Sequence, residues 1–278
     1  MSHSMPATFT VCTIQPAIQW GDSAATFTRI AALLDAACQQ SDLDLVLLPE
    51  HFNATSDEPG ESANWQEAQD FASGLARSCQ LNLVAGSVER WDFAESTRRN
   101  TAVVYDRQGV EAGRYDKRKL FRFEHQRGVS PGQESLRVHL EGIGVGVLIC
   151  ADLWHPELIR EWAGSIDVLC VPSQTAIRPE SSSEYARLLW RNLAMTRAQE
   201  NVIALAVSDH AATSQSPYRV GGVASITDPS AEPDLSAIQL ILDKGVDGYL
   251  IRTVELDRLA QFRQYRRQNG LLPEAASA

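Results

Sequence analysis

Short apolar runs bounded by turn residues alternate along this chain with longer amphipathic stretches, and this alternation limits the folds open to it. The short runs predict strands at residues 8–15, 43–48, 81–88, 99–105, 110–115, 136–140, 145–150, 166–171, 202–207, 220–227 and 249–254. The longer stretches predict helices at 24–40, 65–79 and 183–200, and Pro156 is placed to begin another. Alternating elements of this kind indicate the α/β class, with mixed sheets covered by helices.

Local signals sharpen several of these elements. Asp22 or Ser23 is expected to cap the helix at 24–40. Residues 106–109 read DRQG between two apolar runs, which predicts a hairpin in which Gly109 supplies the unusual backbone angle. Residues 57–60, rich in Asp, Pro and Gly, predict a loop, and the helix at 183–200 should be the longest.

Composition bounds both the domain organisation and the partners. With 278 residues, 44% of them hydrophobic, the chain can bury one large core, and no segment resembles a linker. We therefore expect one domain at 8–270, an N-terminal extension at 1–7 and a C-terminal tail at 271–278. The net charge of −10 argues against nucleic acid and anionic membrane surfaces as partners. No apolar run approaches the roughly 20 residues that a membrane-spanning helix needs.

Cysteine usage predicts the compartment. The five cysteines are odd in number and scattered, without a CxxC pair, which argues against a disulfide framework and against a zinc site. Such a pattern is typical of a reducing compartment. Because the N-terminal residues also lack an apolar signal core, a cytoplasmic location is expected.

Three residues carry the candidate chemistry. Cys150 ends the apolar run 145–149, so a buried strand should deliver its thiol to a turn whose backbone N–H groups favour the nucleophilic thiolate. Glu50 follows another apolar run and Pro49, at the strand end where open α/β sheets place ligands. Lys117 lies just past the hairpin. The structural alternative is a Cys150 that packs as a small hydrophobe, with Glu50 and Lys117 on the surface.

The contexts of these residues resemble the nitrilase superfamily of carbon–nitrogen hydrolases, in its amidase-like branch. They read LLPEHF around Glu50, YDKRKLF around Lys117 and GVLICADLWHPE around Cys150. RNTAVVY at 99–105, SPG at 130–132, RAQEN at 197–201 and GVASITDP at 222–229 resemble further family segments, so the resemblance covers about residues 8–260. It implies a single-domain α-β-β-α sandwich, a Glu-Lys-Cys triad without a cofactor, and protomers that form a homodimer or a larger homo-oligomer.

The resemblance also implies a role for each site residue. Cys150 would attack an amide carbonyl, and Glu50, with a pKa raised by burial, would move the protons. Lys117 and the backbone N–H after Cys150 would stabilise the oxyanion. Glu124 stands where many family members carry a second Glu that positions substrate or supports the Lys. Between two carboxylates Lys117 should stay charged.

The register of the lysine needs a choice, because Lys119 is a second candidate. The family's Lys stands two residues after the Tyr and three before the Leu, and only Lys117 meets both spacings, from Tyr115 and to Leu120. The family commonly has His at the position of Lys119, so this chain departs from the pattern there.

The substrate is predicted from the residues around the nucleophile. Relatives that act on amides of dicarboxylic acids often carry Arg where this chain has Trp154, which favours a neutral or cationic amide. True nitrilases usually show Trp-Glu after the Cys, so Ala151 followed by Asp favours an amide over a nitrile, and Ala151 trims bulk beside the thiol. Gln174 and Thr175 are expected to line the pocket.

The predicted function is hydrolysis of a small linear amide through a thioacyl enzyme. An N-carbamoyl-amine hydrolase and a nitrilase with the same triad are the alternatives within the class. Outside it stand a non-catalytic binding module on the same fold and a Cys–His hydrolase of another fold. The latter would take its base from His3, His51, His125, His139, His155 or His210.

Overall fold

Two mixed β-sheets stack against each other, with helices on their outer faces, in the computed structural model of this chain. The structure describes residues 7–53, 62–162, 164–215, 218–231 and 235–272. The predicted α-β-β-α architecture is therefore confirmed. The predicted loop at 57–60 and most of the predicted extension and tail lie outside the described residues.

The first sheet has the strand order β13-β1-β2-β3-β5-β4, with β6 paired to β5. Its strands are β1 Thr8–Gln15, β2 Leu45–Leu47, β3 Asn82–Val84, β4 Val88–Asp92, β5 Thr97–Tyr105, β6 Glu111–Asp116 and β13 Gly248–Glu255. The second sheet has the order β12-β11-β10-β9-β8-β7. Its strands are β7 Leu136–Leu140, β8 Ile143–Val147, β9 Val168–Pro172, β10 Ala204–Ser208, β11 Ser225–Thr227 and β12 Gln239–Ile241.

The helices complete the outer layers. They are α1 Ser23–Gln40, α2 Ser62–Cys79, α3 Arg122–Gln126, α4 Pro156–Arg160, α5 Ser183–Asn201, α6 Leu235–Ile238 and α7 Leu256–Gln268. Asp22 caps α1 by accepting a hydrogen bond from the backbone N–H of Ala25, as predicted. Within the described ranges, every helix is too short or too polar to cross a lipid bilayer.

The inner strands are apolar on both faces because both faces are covered. In β1, Phe9 and Val11 pack into the core between the sheets, whereas Cys12 and Ile14 pack against α1 and α2. Strands β1, β2 and β3 run parallel, as do β8, β9 and β10. Parallel strands covered on both sides form near-continuous apolar runs, which explains why the sequence marked them so clearly.

Several predicted boundaries are wrong. The predicted strand at 81–88 is two strands, β3 and β4, because the chain turns at Gly86 with φ +56°. The strand before Glu50 ends at Leu47, and the strand before Cys150 ends at Val147. Of the predicted strand at 220–227, only β11 forms a strand. The predictions missed α7, which is rich in arginine and buries little apart from Leu256, Leu259 and Arg263.

The turn at Gly86 holds the segment that carries Glu50. The N–H of His51 donates to the carbonyl of Ser87 at 2.7 Å, and the N–H of Ser87 donates to the carbonyl of Pro49 at 3.3 Å. A Cβ atom on Gly86 would overlap this Pro49 carbonyl and would contact Phe52. The close approach of the two segments therefore requires glycine here, in addition to the positive φ.

We predict that Gly86→Ala destabilises the protein by about 1–3 kcal/mol, because the side chain meets backbone and the φ angle disfavours it. Gly74→Ala is the matched control: Gly74 lies in α2, a Cβ there meets nothing within 4 Å, and alanine should stabilise the helix by about 0.5–1 kcal/mol. Urea denaturation of both variants measures the difference. Equal midpoints for the two would contradict the close packing at Gly86.

Candidate active site

A cavity of about 440 Å³ opens where several strands of the two sheets end. All eight residues singled out in the sequence line it, namely Glu50, Lys117, Glu124, Cys150, Ala151, Trp154, Gln174 and Thr175. They come from the ends of β2, β8 and β9, from the loop after β6, and from α3. The sandwich thus brings together side chains that lie far apart in the chain. The remaining lining residues are His51, Leu120, Phe121, Phe123, Arg127, His155, Ala176, Trp190 and Tyr218.

Lys117 lies at the floor of the cavity between two carboxylates. Its Nζ atom is 2.8 Å from Oε1 of Glu50 and 2.7 Å from Oε2 of Glu124, and its side chain is 2% exposed. Burial on its own would lower the pKa of Lys117, but the two carboxylates outweigh it and raise that pKa above its usual value. Lys117 therefore keeps its charge. Lys119 does not line the cavity, and its ammonium instead faces Glu157 at 3.6 Å.

Glu50 is held by hydrogen bonds at both carboxylate oxygens. Oε1 accepts from Lys117 and from Nδ2 of Asn100 at 2.8 Å, and Oε2 accepts from the N–H of Gln174 at 3.0 Å. Burial favours a raised pKa for Glu50, but Lys117, His51 and Asn100 together lower it, to about 2. The expectation of a raised pKa is therefore wrong for the substrate-free protein, because the paired ammonium outweighs desolvation.

Asn100 connects the two carboxylates and was not predicted as a site residue. Its buried Nδ2 donates to Oε1 of Glu50 and to Oε1 of Glu124, at 2.8 Å each. It lies in β5, and its carbonyl accepts the N–H of Lys117 at 2.9 Å. Its position inside the segment RNTAVVY, which carries part of the family resemblance, is the sequence signal that could have identified it.

Cys150 opens a 3-10 turn, Cys150–Trp154, three residues after the end of β8, and it adopts a left-handed φ of +45°. Its Sγ atom lies 3.8 Å from the carbonyl oxygen of Gln174. Burial, followed by the charge of Glu50, raises the pKa of the Cys150 thiol well above its ordinary value, and Lys117 offsets this only in part. The predicted bias toward thiolate is therefore wrong, because a single short turn cannot compensate for desolvation beside a carboxylate.

Asp152 fixes the turn that carries the thiol, another role that sequence reasoning missed. Oδ2 accepts from the N–H of Ile149 at 3.0 Å and from the hydroxyl of Tyr115 at 2.8 Å, and Oδ1 accepts from the N–H of Lys119 at 2.6 Å. Burial raises the pKa of Asp152 to about 6, although these hydrogen bonds oppose the shift. One carboxylate thereby ties the Cys150 turn to the loop that carries Lys117.

Asp209 anchors the loop after β9, which carries Gln174 and Thr175, in a similar way. Its carboxylate accepts from the N–H of Thr175 and from the N–H of Val223 at 3.0 Å each, and from the hydroxyl of Thr175. That hydroxyl also accepts from the N–H of Gly221 at 3.0 Å, so Thr175 shapes the cavity wall with its polar atoms already engaged. The anchored loop carries Gln174, whose backbone contacts both Glu50 and Cys150.

A cation site is conceivable where Glu50, His51 and Glu124 offer ligand atoms within 4.8 Å of one another. The ammonium of Lys117 already lies between the two carboxylates and supplies the positive charge at that point. The donor set therefore fits a buried lysine, and a metal ion would have to displace it.

The sequence model of the carbon-nitrogen hydrolase family matches residues 10–264. The chain belongs to this family. The predicted enzyme class, a carbon-nitrogen hydrolase of the nitrilase superfamily, is thereby confirmed.

Individual relatives of this carbon-nitrogen hydrolase are amidases. It is similar to the omega-amidase NIT3 of Saccharomyces cerevisiae, with 28% identity over 87% of this chain and 86% of that protein. It is similar to the 2-oxoglutaramate amidase of Bacillus subtilis, with 25% identity over 69% of this chain and 73% of that one.

Solved structures share the fold. The crystal structure of Saccharomyces cerevisiae Nit3, a member of branch 10 of the nitrilase superfamily, superposes with a TM-score of 0.79 at 24% identity, over 94% of this chain and 95% of that one. An amidase from a Nesterenkonia species, solved with acrylamide added to its active site cysteine, gives 0.74 at 22% identity, over 94% and 99% of the two chains. These likenesses confirm the predicted sandwich fold.

The charge states in the cavity predict an unusual effect of Glu50→Gln. Removing the negative charge should lower the pKa of Cys150, so that alkylation by iodoacetamide at pH 8 becomes faster, by about three-fold for each unit of pKa lost, because a ten-fold gain in thiolate is partly offset by its lower nucleophilicity. Mass spectrometry after tryptic digestion measures the rate at Cys150 itself.

The control for this alkylation is Glu161→Gln, which removes an exposed carboxylate paired with Arg118 and should leave the rate unchanged. Slower alkylation in Glu50→Gln would mean that Glu50 already holds the proton of the thiol in the resting protein, contrary to the charge states given above.

Proposed function

We propose that this carbon-nitrogen hydrolase is an amidase that cleaves a small linear amide through a thioacyl intermediate on Cys150. The observation that carries the proposal is the buried contact of Lys117 with Glu50 and Glu124, at 2.8 and 2.7 Å, in the cavity that also contains the Cys150 thiol. A nucleophile, a proton acceptor and a fixed positive charge are the three groups that acyl transfer from an amide requires.

In the proposed first step, Sγ of Cys150 attacks the amide carbon while its proton passes to the Glu50 carboxylate. Because the thiol is neutral at rest, attack and proton transfer are coupled. Lys117 and the N–H of Ala151 donate to the developing oxyanion. An ammonium has three donors, and two of those on Lys117 contact Glu50 and Glu124 in the described part of the chain. The third donor of the ammonium is proposed to bind the oxyanion of the substrate.

In the proposed second step, Glu50 returns its proton to the departing nitrogen, which leaves as ammonia or amine, and the tetrahedral intermediate collapses to a thioester on Cys150. A water molecule then gives a proton to Glu50 and attacks the thioester carbonyl. Collapse releases the carboxylic acid, and the proton on Glu50 returns to the sulfur. Every proton is accounted for without a cofactor. Lys117 contributes only charge, because its raised pKa makes it a poor acid.

Two further residues are proposed to bind the substrate. Gln174 lines the cavity, and its buried Nε2 atom lacks a hydrogen-bond partner within the described residues, so a substrate acceptor would satisfy it. Trp154 lines the same cavity and presents an indole surface, which supports a neutral or cationic amide. The names of the yeast and Bacillus relatives point instead to monoamides of dicarboxylic acids, so the two substrate classes need a direct comparison.

We also propose the domain bounds, the cellular compartment and the oligomeric state. A single catalytic domain at 8–270 is supported by the family match over residues 10–264. A reducing, cytoplasmic setting is supported by five free cysteines. A homodimer or larger homo-oligomer is proposed from the family resemblance.

We predict that Cys150→Ala abolishes ammonia release, because no other group in the cavity can form the thioester, and that its melting temperature stays near that of the wild type. Lys117→Met should lower kcat/KM by at least about a thousand-fold, since it removes oxyanion stabilisation and leaves two buried carboxylates unpaired. Lys119→Met is the matched control. A larger loss in Lys119→Met would overturn the assignment of Lys117, and full activity of Cys150→Ala would overturn the mechanism.

A second prediction concerns the bond that is cleaved. Ammonia release across amides, N-carbamoyl amines and nitriles should show the highest kcat/KM for an amide, because Ala151 leaves room for a trigonal carbonyl carbon and its amino group beside Cys150. A preference for an N-carbamoyl amine or for a nitrile would assign the chain to one of the two alternatives within its class.

A further inference from the structure

Five aromatic side chains line the active-site cavity, four of them at least partly exposed and the fifth, Trp190, buried. We call Phe121, Phe123, Tyr218, Trp154 and Trp190 the aromatic collar. Resting on the proposed amidase function, we infer that the substrate is a neutral amide whose acyl group carries an aromatic ring, and that the collar binds this ring.

The collar has two walls with defined ring geometry. On one wall, Phe121 contacts Phe123 edge to face with centroids 5.6 Å apart, and Phe123 stacks on Tyr218 at 5.5 Å. On the other wall, Trp154 meets Trp190 edge to face at 6.3 Å. Aromatic pairs favour these separations and orientations, and all five rings line the cavity, so they offer aromatic surface to a bound ring. The collar is therefore built for an aromatic group.

Exposure supports the same conclusion. Phe121 is 48%, Phe123 41% and Trp154 44% exposed, although they adjoin a buried charged site. A cluster of exposed large apolar side chains in a soluble enzyme usually marks a binding surface. Here the cluster lines the same cavity as the Cys150 thiol, so we assign it to substrate binding.

The collar is also tied to the reactive groups through the chain. Phe121 ends the loop that carries Lys117, Phe123 lies in α3 directly after it, and the N–H of Phe121 donates to Glu124 at 2.7 Å. Trp154 ends the 3-10 turn that Cys150 begins. A ring bound between the two walls would therefore lie at a fixed distance from the attacking sulfur, which is what orients an amide for attack.

Charge argues against a carboxylate in the same place. Among the described residues that line the cavity, each fixed cation already has a carboxylate partner: Lys117 has Glu50 and Glu124, and Arg127 has Glu89. His155 faces Glu157 at 3.1 Å. An anionic acyl group would have to compete with these partners, whereas a neutral ring needs only apolar surface.

Size is consistent with an aryl amide. The cavity of about 440 Å³ falls in the range of about 300–1,000 Å³ typical of small-molecule sites. An amide with a very short aliphatic acyl group would leave the collar unfilled and would forgo the contacts that its rings offer.

The test compares four amides by ammonia release: phenylacetamide, propanamide, the anion succinamate and the cation β-alaninamide. We expect kcat/KM for phenylacetamide to exceed that for each of the others by at least about ten-fold, which corresponds to about 1.4 kcal/mol. A kcat/KM for succinamate or β-alaninamide equal to or above that of phenylacetamide would overturn the inference.

Two collar variants test whether the collar is the part of the cavity that binds the aromatic ring. Phe123→Ala and Trp154→Ala should each lower the ratio of kcat/KM for phenylacetamide to that for propanamide by about ten-fold, mainly through KM. Phe93→Ala is the matched control, because Phe93 is more exposed than either residue and lies outside the cavity. An unchanged ratio in both collar variants would show that the ring binds elsewhere.

Calorimetry with Cys150→Ala separates this inference from the proposed function. If the wild type hydrolyses none of the four amides, the amidase proposal fails, and binding still decides the collar. Phenylacetamide should then bind Cys150→Ala at least about ten-fold more tightly than propanamide does. Equal affinities would contradict the collar whether or not hydrolysis is observed.

Discussion

The buried ammonium of Lys117 between Glu50 and Glu124 is the interaction on which the site depends. Removing a charge from water costs several kcal/mol, and a buried ion is stable only when its partners are close and well oriented. Here both carboxylates lie within 2.8 Å of Nζ, and Asn100 joins them from behind. Three separate segments, after β2, after β6 and in α3, must therefore meet accurately for the sandwich to be stable. The contacts that stabilise the buried charge of Lys117 are therefore the same contacts that the candidate chemistry requires.

This cluster also sets the charge states of its neighbours. Two carboxylates and one ammonium leave one negative charge in a buried site, which Asn100 and the backbone N–H of Gln174 help to stabilise. Burial, followed by the charge of Glu50, raises the pKa of the nearby Cys150 thiol well above its ordinary value. The resting site is therefore a carboxylate beside a neutral thiol. Under the proposed mechanism, the sulfur becomes a nucleophile only when a substrate carbonyl is present to accept its electrons.

Two further buried carboxylates organise the backbone around the cluster. Asp152 joins the Cys150 turn to the lysine loop, and Asp209 anchors the loop that carries Gln174. Both accept backbone N–H groups in segments that are not strands or long helices, where main-chain donors would otherwise be unpaired. Loops that carry the candidate catalytic groups cannot rely on regular hydrogen bonding, and side-chain carboxylates take its place here. Two residues of the aromatic collar, Phe121 and Trp154, lie on the lysine loop and on the Cys150 turn, so part of the pocket wall and the position of the thiol depend on one framework.

The sequence by itself determined the α/β class, most of the strands, and which residues stand at their ends. Fully buried strands are apolar without interruption, and Glu50 and Cys150 stand out where those runs stop, whereas Lys117 was found from its spacing to Tyr115 and Leu120 within the family resemblance. Residue types and spacing could not determine the charge states: the expected raised pKa of Glu50 and the expected thiolate at Cys150 were both wrong. Those states depend on distances of a few ångström between side chains that are far apart in the chain, together with their burial. The aromatic collar and the roles of Asn100, Asp152 and Asp209 likewise follow only from packing, because each depends on contacts between residues that are distant in the chain.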